Sequence, residues 1–218
     1  MIEILRAVVG SRAYGLHRPE SDHDRRGIFV APTRAFWTLA KPPTHLDGPR
    51  EEQFSWEIER FCTLALQANP TVLEVLWSPL IETITDQGET LRAARRAFLS
   101  SKVAETYGGY ARDQLTKVAN RRDRTGETNF KQAMHMIRLL LAGTHTLRTG
   151  EILVNVEPHR NDLLAIRQGR IPWPEIADRA AALQTTLTEA AATTHLPPEP
   201  DTATIDQLLI AVREQGLT

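Results

Sequence analysis

The chain has a single cysteine, Cys62, so no disulfide can close within it, and a reducing cytoplasm is the expected setting. Cys62 falls on the apolar side of a predicted helix and reads as buried filler, not as a nucleophile. No apolar run approaches the ~20 residues of a membrane span, so no membrane partner is expected. The opening "MIEILRAVVGS" carries Glu3 and Arg6 but no basic leader, so no secretory signal is expected. Neither sign of charge dominates: the formal net charge is −1 and the pI about 6.7. A nucleic-acid partner would therefore have to be gripped by a local patch. The chain has no internal repeat and no low-complexity tract. It also lacks a Gly-x-Ser-x-Gly nucleophile elbow and a Gly-x-x-x-x-Gly-Lys-Ser/Thr phosphate loop.

What is present changes character along the chain. "IEILRAVVG" reads as a buried strand stopping at Gly10, and "SRAYGL" as a turn capped by Ser11. "HRPES" is loop, and "DHDRRGIFV" reads as a second strand. "TRAFWTLA" reads as a short helix, "KPPTHLDGPR" as a proline-rich loop and "EEQF" as a third strand. Ser55 is the expected cap of a helix "WEIERFCTLALQ", in which Ile58, Phe61, Cys62 and Ala65 recur at helical spacing. A further helix follows Asn69-Pro70 and ends at Pro79. Beyond Gly88 every periodic segment is helical, down to a last helix "IDQLLIAVREQGL". The fold class is α+β: an α/β unit over 1–90 followed by an all-α unit over 91–218.

Asp22 and Asp24 open the second strand two positions apart, so alternation puts both on one face. Most Asp-x-Asp pairs are solvated strand starts. This one precedes the apolar "GIFV", follows a Gly-Ser turn, and is followed by Arg25 and Arg26, which offer charge to an anion. Paired carboxylates on a rigid element suit magnesium, or manganese, and leave coordination positions for water and phosphate oxygens. Gly10 permits close backbone approach, and Ser11 with neighbouring amides suits phosphate oxygens. The combination fits in-line transfer on a nucleoside triphosphate with two divalent ions.

"GSRAYGL…SDHDRRGIFV" resembles the signature of polymerase-β-type nucleotidyltransferases. More narrowly, the chain resembles the bacterial and phage nucleotidyltransferases associated with RNA ligases and RNA repair. "ANPTVLEVLWSP" and "KQAMHMIRLLLAGTHTLRTGEILV" extend the likeness over roughly residues 8 to 170. The resemblance implies a minimal polymerase-β-like domain closed over by helices. It implies that Gly10, Ser11 and the adjacent Arg12 and Arg25 bind nucleotide, and that Asp22 and Asp24 bind metal. A third carboxylate is expected on a later strand, as base or metal ligand; Glu52 and Glu57 both qualify.

"NFKQAMHMIRLLLAG" places Lys131, His135 and Arg138 on one helical stripe. It is either the wet face of an amphipathic helix or, as the resemblance implies, a stripe facing the triphosphate. Zinc is not expected, because His135 has no partner at ligand spacing. Lys117, Arg121, Arg122 and Arg124 suit either a nucleic-acid backbone or a solvated helix end. Tyr107 and Tyr110 suit base stacking and core packing equally. Glu74, amid apolar residues, reads as a paired structural acid near the site. The expected reaction is transfer of a nucleoside monophosphate to an acceptor hydroxyl, first of all an RNA 3′ end. A small molecule or protein acceptor, such as an aminoglycoside or a toxin, and a non-catalytic antitoxin-like partner are the rivals.

Overall fold

The computed structural model describes residues 1–216; Leu217, in the expected last helix, lies outside the described residues. Five strands form one sheet, in the order His45–Asp47 (β3), Gln53–Glu57 (β4), Arg25–Val30 (β2), Ile2–Val8 (β1) and Ile81–Ile84 (β5). The aliphatic run Ile2–Val8 forms β1, and Arg25–Val30 forms β2 antiparallel to it, with Val8 opposite Arg25. Gln53–Glu57 is β4, parallel to β2. The edges are His45–Asp47 (β3), inside the expected proline-rich loop, and Ile81–Ile84 (β5), in a stretch with no strand reading. Strands of three and four residues are too short for alternation to declare them.

The Gly10–Ala13 turn is the short helix α1. Its N-cap is Val9, with no side-chain cap bond, so Ser11 lies inside the turn and not at its cap. Trp56 and Glu57 belong to β4, which shortens the next helix to Ile58–Leu66 (α2). Glu57, not Ser55, caps it by accepting the Glu59 amide. A helix does follow Asn69-Pro70: it is Pro70–Trp77 (α3), capped by Asn69, which accepts from Thr71 and Val72, with proline in the first turn. Asp86–Ala93 is α4. The helical half comprises Lys102–Thr125 (α5), Phe130–Thr149 (α6), Arg160–Arg167 (α7), Trp173–Ala192 (α8) and Thr202–Gln215 (α9). Both α5 and α6 stop at a left-handed glycine, Gly126 and Gly150.

Helix α6 is the hub, packed against α5, α7 and α8. One buried apolar cluster runs from Ile4 through Phe61, Leu73 and Leu139 to Val212, so sheet and helices share a core. Cys62 and Tyr107 sit in it, Tyr107 with 0% exposure. Burial pushes the Cys62 thiol up to about 12, which keeps it an inert filler. Tyr110 is exposed on α5, and Arg121, Arg122 and Arg124 lie exposed near that helix's end. Helix α9 returns to α2, which ties the end of the chain to the sheet. No helix among the described residues is long and apolar enough to cross a membrane.

Candidate active site

The site begins where β1 ends. Gly10 has φ +67°, a left-handed backbone that glycine adopts without strain. A Cβ there would also overlap the Asp24 carboxylate, whose Cγ lies 3.2 Å from where that atom would be. The Val9 amide donates to the Asp24 carbonyl at 2.8 Å, fixing the turn and the second acid together. Asp22 and Asp24 do not lie in a strand: β2 starts at Arg25. Arg12 explains the difference. Its guanidinium takes the Ser21 carbonyl at 2.7 and 3.1 Å and the Asp22 carbonyl at 3.2 Å, drawing that backbone out of the ladder. The acids are thus held on a pinned loop, and strand alternation plays no part.

Both acids nevertheless line the cleft expected of them. A cavity of about 360 Å³ is walled by Gly10, Ser11, Tyr14, Asp22 and Asp24 on one side and by Lys131, Met134 and His135 of α6 on the other. Burial raises the Asp24 carboxyl above its ordinary range. Arg26 pulls it down, Glu52 and Asp22 push it up, and Lys131 pulls it down more weakly. Burial, Arg138 and Lys131 drive His135 down to about 3, so its imidazole is neutral at physiological pH.

Other expected members separate from this group. Arg138 is 1% exposed and faces inward. Its Nη1 bonds Glu74 Oε1 at 2.6 Å, and its guanidinium stacks 3.8 Å from the Tyr14 ring centroid. Its guanidinium is turned away from the cleft; a helical stripe about two turns long dips into the core at its far end. Glu74 is the buried paired acid the sequence suggests. Glu57 is 3% exposed and held by Arg213 Nη1 and Nη2 at 2.8 and 3.0 Å, so it is a structural carboxylate remote from the cleft. Arg12 is spent on loop carbonyls. Arg25 is paired with Glu82 at 3.0 Å and lies outside the cleft.

Glu52 sits in the turn before β4, at φ +58°. Its carbonyl accepts from the Arg25 amide and from Arg26 Nη1, both at 2.9 Å, and its carboxylate acts on Asp24. Among the described residues no three His, Cys, Asp or Glu side chains are gathered as a metal-ligand cluster. Asp22 and Asp24 both line the cleft, and the Glu52 charge acts on Asp24 from outside it.

Sequence reasoning missed Tyr14, Arg18 and Arg167 in the cleft wall. Tyr14 was open to detection, since it stands one helical turn beyond Ser11. Arg167 carries no local signal: α7 brings it in, where its Nη1 bonds the Leu16 carbonyl at 3.0 Å while Arg160 Nε holds that of Gly15 at 2.9 Å. No curated protein and no solved structure matches the chain. A family model does, described as "RNA repair pathway DNA polymerase beta family" (RlaP), and it matches residues 3–211. That span takes in the glycine turn, the acid loop and the helical wall alike, and the chain belongs to this family.

Proposed function

We propose that the protein is a divalent-cation-dependent nucleotidyltransferase. It transfers a nucleoside monophosphate from a nucleoside triphosphate to an acceptor hydroxyl, an RNA 3′ end in a repair setting, and releases pyrophosphate. One observation carries this reading: the Gly10-Ser11 turn, Asp22 and Asp24 face Lys131 and His135 across a single cleft.

The carboxylate pair fits magnesium, or manganese. Burial raises Asp24 and Glu52 and Asp22 add to it against Arg26, so the ionised pair gains from a bound cation, and magnesium is commonly held by one or two carboxylates with water and phosphate completing its shell. Asp22 and Asp24 would hold it, with Glu52 as the third acid. When bound, the ion supplies charge neutralisation and lowers the pKa of an attacking hydroxyl.

The remaining roles fall to the chain's own groups. Ser11 and the adjacent backbone bind phosphate oxygens where Gly10 lets them approach. Lys131 offsets charge developing on the leaving pyrophosphate. Neutral His135 orients the substrate by a hydrogen bond without adding charge. Glu52 accepts the proton of the acceptor hydroxyl. Arg12, Arg160 and Arg167 hold the loop carbonyls so that little rearrangement accompanies the reaction.

Transfer to a polycationic small molecule is the second reading, favoured by the absence of a basic balance and by Glu51 and Glu52 beside Asp22. Incubation with α-labelled triphosphates, an oligoribonucleotide and an aminoglycoside separates the two. Label on the RNA 3′ end supports the first, and label confined to the drug replaces it with the second. Tight capture of another protein with no label transferred, unaltered in Asp22→Asn and Asp24→Asn, would refute both.

A further inference from the structure

A second cavity, of about 440 Å³, opens on the other side of Asp22. Its walls are Ser21, Asp22, His23, Arg25, Arg50, Glu51 and Glu52, and it shares only Ser21 and Asp22 with the cleft that holds Gly10, Ser11 and Lys131. In an in-line displacement the attacking oxygen and the departing pyrophosphate stand on opposite sides of the phosphorus. A site for such a reaction needs two lobes meeting at the metal-binding acids, one for the triphosphate and one for the acceptor.

The charges of the second cavity are unevenly committed. Arg25 is bound to Glu82 through both carboxylate oxygens at 3.0 Å, and Arg6 Nε reaches the same carboxylate at 3.2 Å. Glu82 is thereby held below the usual carboxylate range, by Arg25 first, then Arg6 and Arg50, against a burial cost. The Arg50 side chain has no hydrogen bond or ion pair among the described residues. Its charge acts on Glu82 from a distance, but its guanidinium is unbonded, and the planar fork matches two phosphate oxygens. The acids of the same wall suit a hydroxyl, which donates a hydrogen bond and must lose a proton.

We propose that this cavity is the acceptor subsite, in which Arg50 grips the phosphodiester next to the 3′-terminal hydroxyl of an RNA strand. This rests on the transferase reading above but makes its own prediction about binding. A polycationic acceptor would instead use Glu51 and Glu52 of the same wall and would gain nothing from Arg50.

The test is fluorescence anisotropy of a 5′-labelled oligoribonucleotide with a free 3′ hydroxyl, in magnesium and without triphosphate. Arg50→Gln should weaken binding about tenfold and reduce the slope of log affinity against log salt by about 1. Arg50→Lys, which keeps the charge but not the fork, should keep the wild-type salt slope and recover only part of the affinity, which separates loss of charge from loss of fold. Lys131→Gln should bind the oligoribonucleotide as wild type does while binding a triphosphate more weakly. Wild-type affinity and slope in Arg50→Gln, failure of the wild type to bind the strand, or an equal RNA defect in Lys131→Gln would each overturn the proposal. Pyrophosphate release is scored separately: binding as described with no turnover by the wild type would refute the transferase reading and leave the subsite standing.

Discussion

The Arg138 guanidinium lies 3.8 Å from the centroid of the Tyr14 ring, and both residues close on Glu74: Arg138 Nη1 donates to Oε1 and the Tyr14 hydroxyl to Oε2, each at 2.6 Å. Burial drives the Tyr14 hydroxyl far above its ordinary range, so it stays a neutral donor. The trio clamps α6 and α3 to α1, immediately behind the Gly10-Ser11 turn. Removing one partner strands a buried charge. Arg138→Met should therefore cost about 3–5 kcal/mol in urea unfolding, and Arg138→Met with Glu74→Gln should recover part of it. An additive double mutant would show that the pair is not coupled.

Glu52 and Glu57 should separate cleanly. Glu57 caps α2 and binds Arg213, so Glu57→Gln should lose about 1–3 kcal/mol of stability and keep kcat within about twofold. Glu52 is exposed, so Glu52→Gln should melt as wild type does and lose kcat by about 100-fold or more. Thermal melts beside steady-state kinetics read both, and the reverse pattern would return the third acid to Glu57.

His135 sets an acid limit on stability. Its folded pKa, about 3, lies below the ordinary 6.5, so the neutral form is the one the fold favours. The stability gained is complete above about pH 6.5 and is lost as pH falls from there toward 3. Melting temperature against pH should show wild type and His135→Gln nearly parallel above pH 7, with wild type falling faster below pH 6. Because the imidazole is already neutral, no limb of the activity profile between pH 7 and 8 should belong to it.

Gly10→Ala meets two obstacles at once, a left-handed backbone and the Asp24 carboxylate. The strain alone is of order 1–3 kcal/mol. Relieving it must displace Asp24, so activity should fall by about 100-fold or more even where the variant is folded, as circular dichroism and turnover together would show.

The aliphatic run of β1, its arrest at Gly10, the helix start after Asn69-Pro70 and the long helices were legible because local periodicity and turn chemistry decide them. The acid pair was legible as a pair but not as a loop, since the agent holding it there is Arg12, about ten residues away. Arg138 misled for a similar reason. It shares a stripe with Lys131 and His135, but whether a stripe is wet depends on what packs against it, and α3 supplies Glu74. The Glu57–Arg213 pair joins residues 156 positions apart, beyond any local pattern.

Pyrophosphate release from each of the four triphosphates, with and without magnesium, for wild type beside Asp24→Asn, is the most direct measurement. Wild type should release it only with the metal, and Asp24→Asn should fall at least about 100-fold while melting as a folded protein. Equal release by both would mean that the carboxylate beside the glycine turn holds no catalytic ion.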